Sequence, residues 1–212
     1  MKKNAIITGY SSGIGKAIVS ELEDCYNIIR LETRLENVKD LEKEIKMILK
    51  QNDIDLLVNC AGVGLFEPHE ELNIAQISKL IDINLQAPIV LVNLLLRSLK
   101  KTKGKIINIS SIEATKNSKF SALYSATKSG LRSFSLSLFE ELRKSGVGVT
   151  SINPDITKTE FFNDLKFKNS TNPNTYLDPV DIAKVVKNIV EFNGVVSDIT
   201  LQPQMFQIER KK

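Results

Sequence analysis

The sequence predicts an α/β fold in which a parallel sheet carries helices on both faces. Short strand patterns alternate with helical patterns along most of its 212 residues, and parallel strands need long crossover connections that are usually helices. The length suits one domain, so we expect residues 1–212 to form a single unit. Apolar residues make up 42% of the chain and charged residues 25%, which excludes a disordered or collagen-like protein.

The first half of the chain predicts the order strand, helix, strand, helix, strand. Apolar runs bounded by polar residues indicate strands at 4–8, 27–32 and 55–58. A glycine-rich turn leads into the first helix, at 13–24. The second helix is predicted at 37–50. Its apolar residues fall at helical spacing: Val38, Leu41, Ile45, Ile48 and Leu49.

The second half continues the alternation with two long helices. We predict these helices at 74–100 and 121–144, each followed by a strand, at 105–109 and 148–152. Residues 157–177 are polar and follow no regular pattern.

The last helix has clear boundaries. Asp178 is a suitable N-cap, Pro179 occupies the first helical position, and Gly194 follows the predicted end near Phe192. The apolar segment 195–201 predicts a final strand. In open parallel sheets ligands bind beyond the carboxyl ends of the strands, so we expect the chemistry there.

Charge, cysteine content and the length of apolar runs exclude several classes of function. The net charge of +4 arises from basic residues at the two chain ends, so the body is neutral and predicts no nucleic-acid surface. Cys25, Cys60 and the single histidine, His69, lie at no metal-binding spacing, so we expect no metal site. Apolar stretches such as 94–96 are too short to span a bilayer, and residues 4–8 resemble a strand rather than a signal-peptide core, which predicts a cytoplasmic protein.

The turn after the first strand has the glycine spacing of a dinucleotide-binding loop. Gly9 permits the tight turn, Gly13 lets the backbone approach a pyrophosphate, and Gly15 lets the helix pack closely. The helix N-terminus favours the phosphates. We therefore predict a Rossmann-like, doubly wound, three-layer α/β/α fold. The predicted cofactor contacts of this turn are Gly9, Ser11, Ser12, Gly13, Ile14 and Gly15.

The same turn also reads as G-x-S-x-G, the pattern of a hydrolase nucleophile elbow. Such an elbow needs an acid and then a histidine later in the chain. The only histidine, His69, precedes most of the predicted strands. The order of residues therefore disfavours a hydrolase.

Polar groups with catalytic chemistry follow the later strands. Tyr124 and Lys128 lie four residues apart on one face of the second long helix. Ser111 lies just past the preceding strand, and Asn84 lies inside the first long helix. Because Pro88 has no N–H, it cannot bond the carbonyl four residues earlier, which belongs to Asn84. We expect these polar groups to converge at the carboxyl edge of the sheet.

In these motifs the chain resembles the short-chain dehydrogenase/reductase family over nearly its whole length. The turn at 8–15 matches the family's T-G-x-x-x-G-x-G, residues 59–62 resemble its N-N-A-G, and residues 153–155 resemble its N-P-G. The family's catalytic tetrad is matched by Asn84, Ser111, Tyr124 and Lys128.

This resemblance implies an NAD(P)-dependent oxidoreductase that transfers a hydride between a nicotinamide and a small carbonyl or alcohol. It makes Tyr124 the acid/base, Lys128 the group that favours phenolate and binds the nicotinamide ribose, and Ser111 a hydrogen-bonding partner of the substrate oxygen. The freed carbonyl of Asn84 would hold a water that links Lys128 to solvent. The resemblance also implies cofactor contacts at Asn59, Ala61, Gly62, Tyr124, Lys128, Pro154 and Thr159.

The chain departs from the family's pattern in two places. Only 51 residues separate Thr8 from Asn59, which leaves out one strand and helix of the family's usual fold, on the adenosine side of the cofactor site. Asp155 stands where the family usually has glycine. Its carboxylate either approaches the nicotinamide or points to solvent.

The residue that ends the second strand affects cofactor choice, because an acid there binds the ribose 2′-hydroxyl and a nearby arginine accepts a 2′-phosphate. Glu32 favours NAD, whereas Arg30 and Arg34 on either side favour NADP. We expect NAD in preference to NADP. Glu32 is also compatible with a solvated strand end.

Substrate and partners are predicted more coarsely. Phe161, Phe162 and Phe167 would form an apolar lid that suits a small apolar carbonyl. The two long helices carry more apolar residues than one sheet face requires, and the family commonly assembles through them, so we expect a homodimer or homotetramer. The alternative function is a non-catalytic relative that binds a nucleotide or a protein partner, which the missing unit favours.

Overall fold

The computed structural model describes residues 2–163 and 165–211, and its central feature is a six-stranded parallel sheet. The sheet consists of β1 (Lys3–Ile7), β2 (Tyr26–Ile29), β3 (Leu56–Asn59), β4 (Lys105–Ile109), β5 (Gly148–Pro154) and β7 (Asp198–Leu201), in the order β2-β1-β3-β4-β5-β7. Two further strands, β6 (Phe167–Asn169) and β8 (Ile208–Arg210), pair with each other in a separate antiparallel ladder. The strand order reverses between β1 and β3, which is where such sheets bind their ligands.

Six α-helices connect the strands and cover both faces of the sheet. They are α1 (Gly13–Leu22), α2 (Val38–Leu49), α3 (Ile74–Ile81), α4 (Ala87–Thr102), α5 (Ala122–Leu142) and α6 (Pro179–Glu191). Helices α1 and α6 pack together over one face, and α2 packs on α4 over the other. The predicted three-layer fold is confirmed.

Alternating side chains of the strands supply the two apolar cores. Ile6 and Leu57 face α2, α4 and α5, whereas Ile7 and Val58, their neighbours in sequence, face α1 and α6. Successive side chains of a strand point to opposite faces, so a strand covered on both faces is apolar throughout. This explains why the predicted strands read as continuous apolar runs.

The sheet lacks one strand and helix on its β2 side, as the spacing between Thr8 and Asn59 predicts. β2 pairs only with β1 and forms the edge of the sheet. It ends at Ile29, whereas the sequence predicted a strand that reaches Glu32. Residues 30–32 thus form the start of the connection to α2.

The predicted helix at 74–100 contains a π-helical turn at Asp82–Gln86, between α3 and α4. The N–H of Ala87 donates to the carbonyl of Asp82, five residues earlier. Pro88 follows at the start of α4 and removes the N–H that an α-helix would offer to the carbonyl of Asn84. The catalytic candidate Asn84 therefore lies in the one irregular turn of this helical run.

Length and composition alone would allow the helical run Ile74–Thr102, of 29 residues, to cross a membrane. The sequence predicted no membrane span, because its uninterrupted apolar stretches are short. Core helices of soluble proteins meet the same criterion. In this fold Leu91, Leu95 and Leu99 of α4 are fully buried in the core beneath the sheet.

The predicted irregular segment 157–177 contains more structure than its sequence indicates. It holds two 3₁₀ turns, Glu160–Phe162 and Pro173–Thr175, and the strand β6. The partner of β6 is β8, near the end of the chain. Neither strand was predicted, because each has three residues and the pairing joins distant parts of the sequence.

Candidate active site

A cleft of about 1190 Å³ opens at the carboxyl ends of β1, β3, β4 and β5. Most of the predicted site residues line it, namely Gly9, Ser12, Gly13, Ile14, Gly15, Ala61, Gly62, Ser111, Tyr124, Lys128, Pro154 and Thr159. Ser11 lines a smaller neighbouring pocket beside the same turn. The described residues contain no group of three or more His, Cys, Asp or Glu side chains that could hold a metal ion.

The glycine turn after β1 is shaped by close backbone contacts. Gly9 has a φ of +69°, and a Cβ there would lie 2.9 Å from Cα of Ala61. A Cβ on Gly15 would lie 2.1 Å from the carbonyl oxygen of Gly9. Thr8 Oγ1 accepts hydrogen bonds from the N–H groups of Cys60 (3.0 Å) and Ala61 (3.1 Å). These contacts fix the turn after β1 against the end of β3 without side chains in the way.

The N-terminus of α1 faces the cleft with its first-turn N–H groups available. Ser12 is the N-cap, with an extended backbone, and its side chain makes no capping hydrogen bond. Gly13 lets Thr159 lie close to the turn, since a Cβ on residue 13 would lie 3.1 Å from Thr159 Cγ2. Free N–H groups and the helix dipole favour an anion at such a position. The turn therefore fits the pyrophosphate of a dinucleotide.

Tyr124 lies in the first turn of α5 and is 6% exposed. Burial raises the pKa of its phenol to about 12, the Ser111 hydroxyl opposes that rise by hydrogen bonding, and the Glu113 carboxylate adds to it. In this state the phenol is a proton donor at neutral pH. Its ring packs against Phe66, with 5.0 Å between ring centroids.

Lys128 lies one helical turn after Tyr124 and is 4% exposed. Its Nζ donates to the carbonyl of Ile109 at the end of β4 (2.9 Å) and lies 6.0 Å from the centroid of the Tyr124 ring. Burial lowers the pKa of this amine to about 8. The neighbouring thiol of Cys60 has a pKa raised to about 12 by burial, so it stays uncharged.

Asn84 is fully buried behind the cleft and braces the backbone after β3. Its Oδ1 accepts from the N–H of Val63 and its Nδ2 donates to the carbonyl of the same residue, both at 2.9 Å. A Cβ on Gly62 would lie 3.4 Å from Asn84 Oδ1 and 3.3 Å from Lys128 Nζ. Asn84, Gly62 and Lys128 are thus brought together, as the sequence predicts.

Ser111 lies at the end of β4 and caps a 3₁₀ turn, Ile112–Ala114. Its Oγ accepts from the N–H of Glu113 (3.2 Å), and the residue is 8% exposed. It lines the same cleft as Tyr124. The serine and the phenol therefore face a common space.

Two residues predicted to bind the cofactor lie outside the cleft wall. Asn59 is buried below it, where its Nδ2 donates to Asn108 Oδ1 (2.8 Å) and Asn108 Nδ2 donates to Ser135 Oγ (2.8 Å). This chain of hydrogen bonds ties β3 and β4 to α5. Glu32 is exposed and lies beyond the end of β2. Its side chain lines neither pocket.

Glu44 of α2 binds the backbone of residues 32 and 33, next to the side chain of Glu32 that was predicted to bind the cofactor ribose. Its Oε1 accepts from the N–H of Glu32 (2.7 Å) and its Oε2 from the N–H of Thr33 (3.0 Å). Thr33 and Arg34 line the small pocket beside the glycine turn. The Glu44 carboxylate therefore accepts hydrogen bonds from two consecutive N–H groups at the edge of this pocket.

Asp155 lies in the cleft wall and is 9% exposed, so its alternative as a solvated loop residue is not the observed arrangement. Its Oδ1 accepts from the N–H of Ile156 (2.9 Å). The carboxylate is held by the local backbone.

Aromatic side chains cover the cleft over Tyr124. The predicted lid residues Phe161, Phe162 and Phe167 line it, together with Phe66, which the sequence reasoning missed. Ring centroids lie 5.2 Å apart for Phe66 and Phe167, and 6.0 Å apart for Tyr124 and Phe161. An ion pair between Lys166 and Glu67 at 2.5 Å links the two segments that carry these rings.

The sequence also gave signals for two carboxylates that were missed. Glu113 stands between Ile112 and Ala114 just after the fourth strand, where a charged residue between apolar ones is unusual. Glu44 faces inward on the amphipathic helix α2, three residues after the buried Leu41.

A family model described as short chain dehydrogenase matches residues 31–169 of the chain. The chain is 31% identical to an uncharacterized oxidoreductase of Staphylococcus saprophyticus over 231 residues, which cover 95% of this chain and 97% of that protein. It is 30% identical to a diacetyl reductase [(S)-acetoin forming] of Staphylococcus epidermidis, over 76% of this chain and 74% of that protein.

Solved structures share the fold at lower identity. An alcohol dehydrogenase from the archaeon Thermococcus sibiricus, complexed with 5-hydroxy-NADP, superposes with a TM-score of 0.85 at 23% identity, covering 96% of this chain and 97% of the other. A 4-hydroxyisoleucine dehydrogenase complexed with NADH gives a TM-score of 0.85 at 22% identity, covering 95% and 98%. Because the family model spans more than half of the sequence and the relatives align over most of their length, the chain belongs to the short-chain dehydrogenase family of NAD(P)-dependent oxidoreductases.

Proposed function

We propose that the protein interconverts a small apolar carbonyl compound and its alcohol, with Tyr124 as the acid/base. The observation that carries this proposal is the convergence of Tyr124, Ser111 and Lys128, all buried, at the cleft beside the glycine turn. Such a phenol, amine and hydroxyl are suited to one carbonyl oxygen and its proton.

The residues of the cleft fit a nicotinamide dinucleotide. Gly9, Gly13 and Gly15 leave the space that side chains would fill, and the N-terminus of α1 offers N–H groups to phosphates. When bound, the nicotinamide would supply or accept the hydride. Thr159 and Pro154 line the opposite side of the same cleft.

The proton is handled by the chain's own residues. In the reducing direction Tyr124 donates its proton to the carbonyl oxygen while the Ser111 hydroxyl donates a hydrogen bond to the same atom. In the oxidising direction phenolate is required, and the charge of Lys128 favours it. We assign the main-chain carbonyl of Asn84 the role of holding a water that resupplies Lys128 with protons.

The aromatic walls support the proposed substrate class. Phe66, Phe161 and Phe167 surround the space beside Tyr124 and offer few hydrogen bonds, so they favour a compact apolar carbonyl. The similarity to a diacetyl reductase supports a small diketone or hydroxyketone.

Turnover with a panel of carbonyls tests the proposed function. We expect oxidation of NADH in the presence of small aldehydes, ketones and diketones, with diketones preferred over polar sugars. Binding of NADH and NADPH, followed by fluorescence, is measured in parallel. Dinucleotide binding without turnover on any member of the panel would support the non-catalytic alternative instead.

We further propose that the protein prefers NAD over NADP, and that Glu44 contributes to this preference. A 2′-phosphate at the end of β2 would seek the N–H groups of Glu32 and Thr33, which the Glu44 carboxylate already occupies. The like charges repel. Arg34, exposed at the same pocket, opposes this effect.

Replacement of Glu44 by Gln tests this preference by removing one charge at nearly constant shape. We expect the Kd of NADPH to fall about tenfold, equal to ~1.4 kcal/mol, while the Kd of NADH changes less than about twofold, because NADH has no 2′-phosphate. Glu42→Gln is the control, since Glu42 lies on the same helix but pairs with Lys46 at the surface. An unchanged ratio of the two Kd values in Glu44→Gln would contradict the assignment.

Assembly and location remain proposals. We propose a homodimer or homotetramer formed through α4 and α5, supported by the half-buried Leu94, Leu96, Phe134 and Phe139 on these helices. Static light scattering is expected to give a mass well above the 23.7 kDa of one chain. We also propose a cytoplasmic location.

A further inference from the structure

Glu113 is a buried carboxylate beside the catalytic groups, and the proposed reaction gives it no task. It is 8% exposed and lies two residues after Ser111. Burial of an isolated carboxylate is costly, so the group must be held by compensating partners. Those partners indicate what it does.

The carboxylate of Glu113 joins two elements of the site. Its Oε1 accepts from Ser118 Oγ (2.8 Å), in the loop that follows the 3₁₀ turn. Its Oε2 accepts from Ser121 Oγ (2.9 Å), the N-cap of α5, and from Ser125 Oγ (3.2 Å), the residue after Tyr124. The side chain thus fastens the first turn of α5 to the turn that follows β4.

The backbone of Glu113 acts on the serine of the same site. Its N–H donates to Ser111 Oγ (3.2 Å), and the N–H of Ala114 donates to the Ser111 carbonyl (2.9 Å). The Ser111 hydroxyl is therefore oriented by the turn that the Glu113 side chain anchors. One residue contacts both Ser111 and the helical turn that carries Tyr124.

We propose that Glu113 is a positioning residue that holds Ser111 and Tyr124 at the spacing at which both reach one substrate oxygen. This inference rests on the proposed function. The hydroxyls of three serines supply hydrogen bonds to the buried carboxylate. A charged neighbour is Lys116, whose Nζ lies 3.6 Å from Oε1.

The charge of Glu113 gives the proposal a specific readout. Burial is the largest cause of the raised pKa of Tyr124, and the Glu113 carboxylate adds to that rise. Removing the negative charge should therefore lower the pKa of the phenol. In alcohol oxidation, which needs phenolate, the rising limb of the kcat profile should move to lower pH.

The experiment compares Glu113→Gln and Glu113→Ala with the unaltered enzyme. For Glu113→Gln we expect near-normal kcat/KM at the optimum and a limb shifted by about half a unit to one unit toward lower pH. For Glu113→Ala we expect kcat/KM to fall by about tenfold or more, with the NADH Kd within about twofold, because the glycine turn is not in contact with Glu113. Glu140→Gln, at the exposed end of α5, is the control and should change neither quantity.

Two results would overturn the proposal. One is a kcat/KM of Glu113→Ala within about twofold of the unaltered enzyme; the other is an unmoved limb in Glu113→Gln. If Glu113→Ala does not fold, Ser121→Ala replaces it, since it removes one of the same hydrogen bonds. An unaltered enzyme that turns over no carbonyl refutes the proposed function and this inference together, whereas an active enzyme with indifferent variants refutes this inference alone.

Discussion

Replacement of Tyr124 by Phe is expected to lower kcat by about 10² to 10⁴-fold, the usual contribution of a general acid. The phenol is the buried proton donor of the cleft, and its ring packs between Phe66 and Phe161. Phenylalanine preserves those ring contacts, so the loss should lie in the chemical step. Steady-state turnover measures the chemical step and the Kd of NADH measures cofactor binding. We expect this Kd to change less than about twofold.

The matched control for this change is Tyr176→Phe. Tyr176 is half-buried outside the cleft and its ring lies below Lys158, so loss of its hydroxyl should leave kcat unchanged. Tyr124→Phe with kcat within about threefold of the unaltered enzyme would show that another group supplies the proton. The assignment of Tyr124 as acid/base would then be wrong.

Replacement of Lys128 by Met is expected to make the cofactor-free protein more stable while it abolishes turnover. Burial lowers the pKa of this amine from 10.5 to about 8. The unfolded chain therefore binds the proton more tightly than the folded protein, and below pH 8 this difference costs about 3 kcal/mol of the free energy of unfolding. Methionine fills a similar volume without charge. Loss of the hydrogen bond to Ile109 lowers the free energy of unfolding by about 1 kcal/mol. We therefore expect a net increase of about 2 kcal/mol in the free energy of unfolding at pH 7.

Chemical denaturation at several pH values tests the sign of this effect. The gain should be full below pH 8 and should diminish as the pH rises from 8 toward 10.5, because the amine is then neutral in both states. Lys100→Met, at an exposed position on α4, is the control and should give no pH-dependent gain. A less stable Lys128→Met protein at pH 7 would mean that Lys128 is held by partners stronger than its hydrogen bond to Ile109.

Local patterns predicted most of the fold because each strand and helix carries its own signal. The helix at Pro179–Glu191 begins where Asp178 and Pro179 indicated, since a cap and a fixed φ act within one turn. For the π-helical turn at Asp82–Gln86, the sequence indicated only that the carbonyl of Asn84 lacks the N–H that Pro88 cannot supply. The type of turn depends on how α3 and α4 pack, which no local pattern contains.

The candidate catalytic residues were predictable because a parallel sheet brings strand ends and the helices that follow them to one edge. Ser111 lies just past the end of β4, and Tyr124 and Lys128 lie in the first turns of α5, the next helix along the chain. The second strand was predicted to reach Glu32 but ends three residues earlier, at Ile29. Glu44 and Glu113 act through hydrogen bonds to other elements, and such partners become visible only when those elements are packed.

The missing strand leaves β2 as the border of the sheet, with one row of N–H and C=O groups unpaired. Such a border can template association with a strand of another molecule and so start aggregation. Here the border is four residues long and includes the exposed Asn27, and the charged residues Arg30 and Glu32 follow it. A short, polar and charge-flanked border gives an incoming strand little to pair with. The shortened sheet thus ends in a strand whose own length and sequence limit misassembly.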